Sequence, residues 1–267
     1  MPPDLSDRLI IGTSGYSFPD WVGPFYPPGT PSGEFLRFYA RHFSAVEVNT
    51  TYYRIPDPGV MARMEAKTPP GFRFIVKLNQ AMTHERSDDP ELYRSFLACC
   101  EPIARAGKLD GYLAQFPWGY KHGPATRAHL VGMRERLGTA PLWAEFRNDS
   151  WLEPDLAEFL RGHGIGYCDV DEPRLQGLIP PLGMVTSDDA YVRMHGRNAK
   201  TWWGREGGDR YDYDYSEDEL REWLQRLREL AEKARKTYLF FNNCHAGQAA
   251  RNAKLMQDLV RQQRLPA

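Results

Sequence analysis

A single (β/α)8 barrel of the TIM type, with an irregular sixth connection, is the fold this sequence predicts. Three observations carry that expectation. Eight β-like segments recur along the chain, the number that closes such a barrel. Helix-like segments with start signals follow most of them. The length, 267 residues, suits one barrel with a substantial core, and no low-complexity linker divides it. Residues 1–267 are therefore read as one domain.

In order, the strand segments are Leu9–Thr13, Ala45–Asn49, Phe72–Asn79, Gly111–Phe116, Leu142–Arg147, Gly166–Asp171, Tyr191–His195 and Thr237–Asn242. Asp57-Pro58 and Asp89-Pro90 each set a capping carboxylate before a proline at the first helical position. Ser216 and Glu219 form a capping box ahead of Leu220, Trp223, Leu227 and Leu230 at helical spacing. A last helix is expected from about Ala246, with Ala249, Ala253, Met256 and Val260 on one face. Pro173, Pro180, Pro181 and Gly183 oppose a full helix after the sixth strand. Helix-to-strand returns around Gly107, Gly138 and Gly164 are short. The strand-to-helix loops Ser14–Pro31 and Gly196–Tyr215 are long, and barrel sites sit on that side.

Charge and cysteines narrow the function classes. Lys and Arg number 34 against 35 Asp and Glu, a net charge of −1. That balance argues against a nucleic-acid partner held by phosphate electrostatics. Cys99 and Cys100 are adjacent, Cys168 and Cys244 stand alone, and no C-x-x-C occurs, so neither a zinc nor a redox framework is legible. No apolar run reaches the roughly 18–20 residues of a membrane span, and MPPDLSDRL lacks the apolar core of a secretory signal. The expectation is a reduced, cytoplasmic protein that no membrane holds, its oligomeric state left open.

Strand alternation then sorts side chains between the helix layer and the barrel interior. Val46 and Val48 face outward, so Glu47 and Asn49 face inward. Phe74, Val76 and Leu78 leave Lys77 and Asn79 inside. Ala144 and Phe146 leave Glu145 and Arg147, and Val192 and Met194 leave Arg193 and His195. The fourth and eighth strands offer Gln115 and Asn242. On the sixth, Asp169 and Asp171 are placed inward. Buried ions cost several kcal/mol each unless paired or bound to something. These residues therefore form either an internal ion-pair lattice or a ligand site at the barrel mouth.

Several chemistries fit such a site. Glu47 and Glu145 are candidate acid/base carboxylates, since burial and mutual repulsion would push their pKa values apart. His195 is a candidate proton carrier. Lys77, Arg147 and Arg193 suit a small phosphorylated, sugar-like or nucleotide-like anion, with Asn49, Gln115, Asp171 and Asn242 as further binding groups. Tyr16 and Trp21 are candidate stacking residues, as are Tyr52, Trp118, Trp151, Trp202 and Trp203. Glu47, Glu145, Asp171 and His195 could hold a divalent metal, although the nearby cations oppose one; no cofactor is predicted. The loop histidines His84 and His245 show no sequence-visible partner and read as structural. No G-x-G-x-x-G, P-loop or H-E-x-x-H occurs, and Ser14 in G-T-S-G lacks a nucleophile-elbow context. The expected function is thus an enzyme on a small anionic ligand. Alternatives are a non-catalytic module for single-stranded nucleic acid or a protein, and a metal-dependent hydrolase or isomerase.

The same segments resemble a known family. The stretches GTSGYSFPDWVGPFYP (Gly12–Pro27), VEVNTTYYRIP (Val46–Pro56), KLNQAMTHE (Lys77–Glu85), QFPWGY (Gln115–Tyr120), EFRNDSW (Glu145–Trp151), YVRMHG (Tyr191–Gly196), RYDYDYS (Arg210–Ser216) and FFNNCHAGQAARNA (Phe240–Ala253) are similar to the YecE-like family, domain of unknown function seventy-two. They span nearly the whole chain. Gly15-Tyr16 stands where the family usually shows Gly-Trp, which keeps an aromatic. The resemblance implies a TIM-barrel-like fold and a site, but no activity.

Overall fold

A computed structural model describes residues 5–204 and 209–263. Its strands are β1 (Leu9–Thr13), β2 (Ala45–Val48), β3 (Arg73–Lys77), β4 (Leu109–Gln115), β5 (Leu142–Glu145), β6 (Gly166–Asp171), β7 (Ala190–Met194) and β8 (Thr237–Phe241). All neighbours pair in parallel, in the order β1-β8-β7-β6-β5-β4-β3-β2. A Ser14–Glu47 bridge brings β1 against β2, where the Gly15 amide donates to the Glu47 carbonyl at 2.8 Å. Gly12 permits that approach, because a Cβ there would lie 2.3 Å from the Ala45 carbonyl oxygen. This is the expected α/β barrel.

The helices are α1 (Leu5–Arg8), α2 (Phe35–Tyr39), α3 (Thr50–Tyr53), α4 (Pro58–Glu65), α5 (Gln80–Thr83), α6 (Pro90–Arg105), α7 (Pro124–Arg136), α8 (Leu156–Gly162), α9 (Glu217–Lys233) and α10 (Gln248–Gln262). The local signals act as expected. Asp57 caps α4 through the Gly59 amide at 2.8 Å, and Asp89 caps α6 through the Glu91 amide at 2.9 Å. Glu219 accepts from the Ser216 amide at 2.9 Å, and Ser216 Oγ accepts from the Glu219 amide at 3.3 Å. Leu220, Trp223, Leu227 and Leu230 are buried along α9. Each contributes about 1.5–3 kcal/mol, so a charge at Leu227 would unseat this helix. The last helix begins two residues later than expected, because Ala246 (φ 46°) and Gly247 (φ 73°) take left-handed backbone. No helix separates β6 from β7. No helix among the described residues is long and apolar enough to cross a membrane.

Two packed layers position the site. Between barrel and helices lies the large outer core. Inside the barrel, a second apolar cluster of Ile75, Leu113, Trp143, Tyr191, Tyr238 and Phe240 fills the half where the strands begin. The polar residues of Glu47, Glu145 and Arg193 lie above it, at the end where the strands finish.

Candidate functional site at the barrel mouth

Arg193 on β7 organises the buried polar layer. Its Nε and Nη2 donate to the two oxygens of Glu47, at 2.9 and 2.7 Å, and its Nη1 donates to Glu145 Oε2 at 2.6 Å. Tyr191 donates to Glu47 Oε2 at 2.6 Å. Arg147, just past β5, donates through Nε to Glu145 Oε1 at 2.5 Å and through Nη1 to Glu172 Oε2 at 3.0 Å. These are short, charge-assisted and partly bidentate contacts, the geometry that offsets burial of ions. Alternation on β2, β5 and β7 aims the three strand residues into the same space.

His195 follows β7 and is fully buried. Asn242 Nδ2 lies 3.0 Å from its Nδ1. Glu145 Oε1 and Arg147 Nη2 both lie 3.1 Å from its Nε2. Burial first, and Arg147 next, push the imidazole down to about 3, so it is neutral at physiological pH. Burial by itself raises the Glu145 carboxyl. Arg147, Arg193 and His195 overcome it and hold the group well below the usual carboxylate range. Glu172 has weaker compensation. Burial pushes it up to about 8 despite Arg147, and its Oε1 is buried with no hydrogen-bond partner among the described residues.

Lys77, at the end of β3, differs from every other cation of the layer. It makes no ion pair among the described residues, and its Nζ sits 4.2 Å from the centre of the Tyr52 ring. Burial, then Arg193, pushes its ammonium down to about 7, against the opposing pull of Glu145 and Glu47.

Two chambers open above this layer. The first has a volume of about 280 Å³ and is lined by Lys77, His84, Gln115, Arg147, Trp202 and Arg210, with Trp118 and Trp203 among the aromatics around them. Arg210 also makes no ion pair among the described residues, and its guanidinium lies 5.8 Å from the Trp202 ring. Trp202 covers Arg147 at 5.6 Å, and Trp118 meets Trp203 edge-on at 5.7 Å. The second chamber, about 340 Å³, lies over the ends of β1, β2 and β8, with Tyr16, Phe18, Asn49, Met64 and Asn242 in its wall. Tyr53 and Tyr211 belong to both. A larger hollow, about 670 Å³, lies at the opposite end of the barrel beside Trp143 and the Arg235–Asp189 ion pair.

The residues singled out from sequence are distributed as follows. Glu47, Glu145, Arg147, Arg193 and His195 meet in one hydrogen-bonded layer. Lys77 and Gln115 line the first chamber; Gln115 Nε2 donates to the Phe116 carbonyl at 2.6 Å. Asn49, Asn242 and Tyr16 line the second. Four placements need correction. Trp151 is fully buried, its Nε1 donates to the Tyr120 carbonyl at 2.7 Å and its ring stacks on Phe146, so it lines neither chamber. Trp21 is fully buried, its Nε1 donates to the Cys244 carbonyl at 2.7 Å, and its ring packs on Phe18, Phe25 and Tyr26. It fastens the first loop into the outer core and lines neither chamber. Asp171 faces away from the barrel interior, where it accepts from Tyr215 Oη at 2.7 Å and Arg197 Nε at 2.9 Å.

Asp169 shares that reversal, accepting from the Leu182 and Gly183 amides at 2.9 and 2.7 Å. The reason is the missing helix. The helix-free connection after β6 brings the Leu182 and Gly183 amides against the outer face of the strand, so a carboxylate is satisfied there and Cys168 turns inward. The four proposed metal donors consequently do not converge: Asp171 is on the far face, and both glutamates are engaged by arginine. No group of three or more His, Cys, Asp or Glu among the described residues could hold a metal ion. Of the loop Gly196–Tyr215, residues 205–208 lie outside the described residues, and the remainder supplies Trp202, Trp203, Arg210 and Tyr211 to the mouth. Sequence reasoning passed over Glu172, Tyr191 and Arg210. Correct alternation on β6 would have turned Glu172 inward with Cys168 and Val170. Arg210 lies in a loop, where no period reveals direction.

The pattern described as "Protein of unknown function DUF72" matches residues 10–267. The chain belongs to the DUF72 family. Among DUF72-related proteins, it is 33% identical to UPF0759 protein YunF of Bacillus subtilis (strain 168) over 269 residues, 94% of each chain. It is 35% identical to UPF0759 protein YecE of Escherichia coli (strain K12) over 113 residues, 41% of this chain and 38% of that one. Crystal structures show the same barrel. A DUF72 family protein of Thermotoga maritima MSB8 is similar with a TM-score of 0.88 at 40% identity, covering 95% of this chain and 99% of that chain. Another, from Enterococcus faecalis V583, gives 0.85 at 26% identity, covering 97% and 96%. No activity comes with the DUF72 name.

Proposed function

We propose that this chain is an enzyme acting on a small anionic metabolite, bound in the first chamber with Lys77 as its acid–base group. One observation carries the reading. The chamber gathers Lys77, Arg147 and Arg210, and two of these three cations have no carboxylate partner among the described residues. A cation left uncompensated beside a cavity is stabilised by an incoming anion. The location, where barrel strands run into their loops, is the usual place for chemistry in this fold.

The proton-transfer role moves from the glutamates to the lysine. Glu47 and Glu145 have their oxygens taken by arginine and tyrosine donors, so they orient cations. A lysine titrating near 7 is present in both forms at neutral pH. Its amine can take a proton from a bound substrate and its ammonium can return one. His195 is a positioning residue, holding Arg147 and Glu145 in register. The exposed pair Trp118 and Trp203 offers flat faces for a sugar or similar ring at the rim.

A melting screen with small phosphorylated and carboxylated metabolites at millimolar concentration tests this, because a ligand at 100 times its Kd stabilises by about 2.7 kcal/mol. The expected result is stabilisation by phosphorylated compounds that is lost in Lys77→Met and weakened in Arg210→Ala. No response to any anion would overturn the reading. Binding without turnover of any stabilising compound would favour a non-catalytic binding module.

A further inference from the structure

The second chamber differs from the first in its chemistry. None of its lining residues is charged: Tyr16, Phe18, Val48, Tyr53, Met64 and Tyr211 supply apolar and aromatic surface. Burial pushes the Cys244 thiol well above its ordinary value, so this wall offers no thiolate either. The two chambers adjoin along Tyr53 and Tyr211. Their volumes, about 340 and about 280 Å³, together fall within the ~300–1,000 Å³ of ordinary small-ligand sites. A molecule spanning both would have one anionic end and one flat, uncharged end.

Asn49 shows what kind of flat end. It stands just past β2, and its side-chain amide makes no hydrogen bond among the described residues, with Oδ1 shut off from solvent and unpartnered. Leaving that buried oxygen unpaired costs free energy that an apolar residue would avoid. The amide does not cap α3, whose first turn uses the Asn49 backbone carbonyl. A carboxamide presents one acceptor and one donor side by side. Its complement is a planar ring with an adjacent donor and acceptor on one edge, as heterocyclic bases have. An aliphatic or simple aryl group would leave it unpaired.

We propose that the second chamber holds the heterocyclic base of a nucleoside monophosphate whose phosphate lies against Lys77, Arg147 and Arg210. This rests on the anionic reading of the first chamber and adds the chemical class of its substrate. The base is clasped by Tyr16, Phe18 and Met64, and Asn49 reads its edge. Tyr53 and Tyr211 bracket the sugar where the chambers meet.

Calorimetric titration with ribose 5-phosphate, the four common ribonucleosides and their 5′-monophosphates separates the two claims. At least one mononucleotide is expected to bind roughly tenfold or more tighter than ribose 5-phosphate, the value of one to two added hydrogen bonds. Asn49→Leu should abolish that advantage, leave ribose 5-phosphate binding unchanged, and keep or raise the melting temperature. Met64→Trp, which fills the chamber, should do the same to affinity. Mononucleotides no tighter than ribose 5-phosphate, or an advantage that survives Asn49→Leu, would overturn the inference and leave the anion site standing. A lowered melting temperature in Asn49→Leu would also overturn it, by showing a structural amide. Asn49-dependent binding of a nucleoside, with no response to ribose 5-phosphate, would retain the base chamber and sink the anion site.

Discussion

The buried layer around Arg193 and the mouth just above it contain the same residue types in opposite states. In the layer Glu47 faces Arg193 and Tyr191, and Glu145 faces Arg193, Arg147 and His195. At the mouth Lys77 and Arg210 lack carboxylate partners, and Asn49 lacks a side-chain hydrogen bond among the described residues. Satisfied polar groups hold a shape, whereas unsatisfied ones beside a cavity await a ligand. The difference teaches that inward placement alone does not mark a functional residue. In the function proposed above, what marks it is an unfilled bonding capacity beside a cavity.

The sharpest way to break this contrast is to remove the hub. Arg193→Met strands two buried carboxylates and is expected to cost about 3–5 kcal/mol in urea unfolding. A loss below about 1 kcal/mol would show that the layer does not hold the barrel. Glu145→Gln should cost nearly as much at neutral pH, because Arg147 and Arg193 then share too little negative charge. Its cost should depend on pH. The Glu145 carboxyl is held well below its unfolded value, so its contribution is full above the unfolded carboxylate range and lost as pH falls through the folded value. Melting curves of wild type and variant should converge only in strong acid; a gap unchanged with pH would contradict the assignment.

Lys77→Met should act in the other direction. The folded pKa of about 7 lies below the unfolded ~10.4. The ammonium therefore opposes folding fully below about pH 7, and the penalty fades between that value and the unfolded one. At pH 6 the variant should match wild type or melt higher by roughly 2–4 °C, about 1 kcal/mol after allowing for the partial solvent access of the group. That margin should vanish near pH 11, while anion binding is lost throughout. A variant destabilised at every pH would place Lys77 with the structural layer. The smallest effect is expected for Trp118→Ala. Trp118 is 41% exposed and bonds through Nε1 to the Gly177 carbonyl at 2.9 Å. Stability should change by no more than about 1 kcal/mol, while ligand association measured by stopped flow slows. An unchanged association rate would remove the aromatic rim from the site.

Much of the fold was legible because it rests on local rules. Asp57, Asp89 and the Ser216–Glu219 pair act within three residues of themselves. The strands were legible because apolar residues repeat with period two wherever a helix covers the sheet. On β2, β3, β5, β7 and β8 that rule aimed Glu47, Lys77, Glu145, Arg193 and the flanking His195 and Asn242 inward. It failed on β6, where no helix follows the strand and the period inverted. Trp21 failed for another reason: an aromatic in a loop reads the same whether it packs or stacks.

By itself the sequence determined the barrel, the order of its elements, the end that carries the polar layer and the inward set on helix-covered strands, since each follows from neighbours along the chain. Tertiary structure alone decided which of those inward groups were already matched. Whether Glu145 is a free acid or an arginine clamp depends on Arg193, 48 residues away, and whether Glu47 is free depends on Tyr191 and Arg193 across the ring. Pairing at such range is set by barrel closure and strand stagger. No local pattern encodes those distances, and they are what leave Lys77, Arg210 and Asn49 open at the mouth.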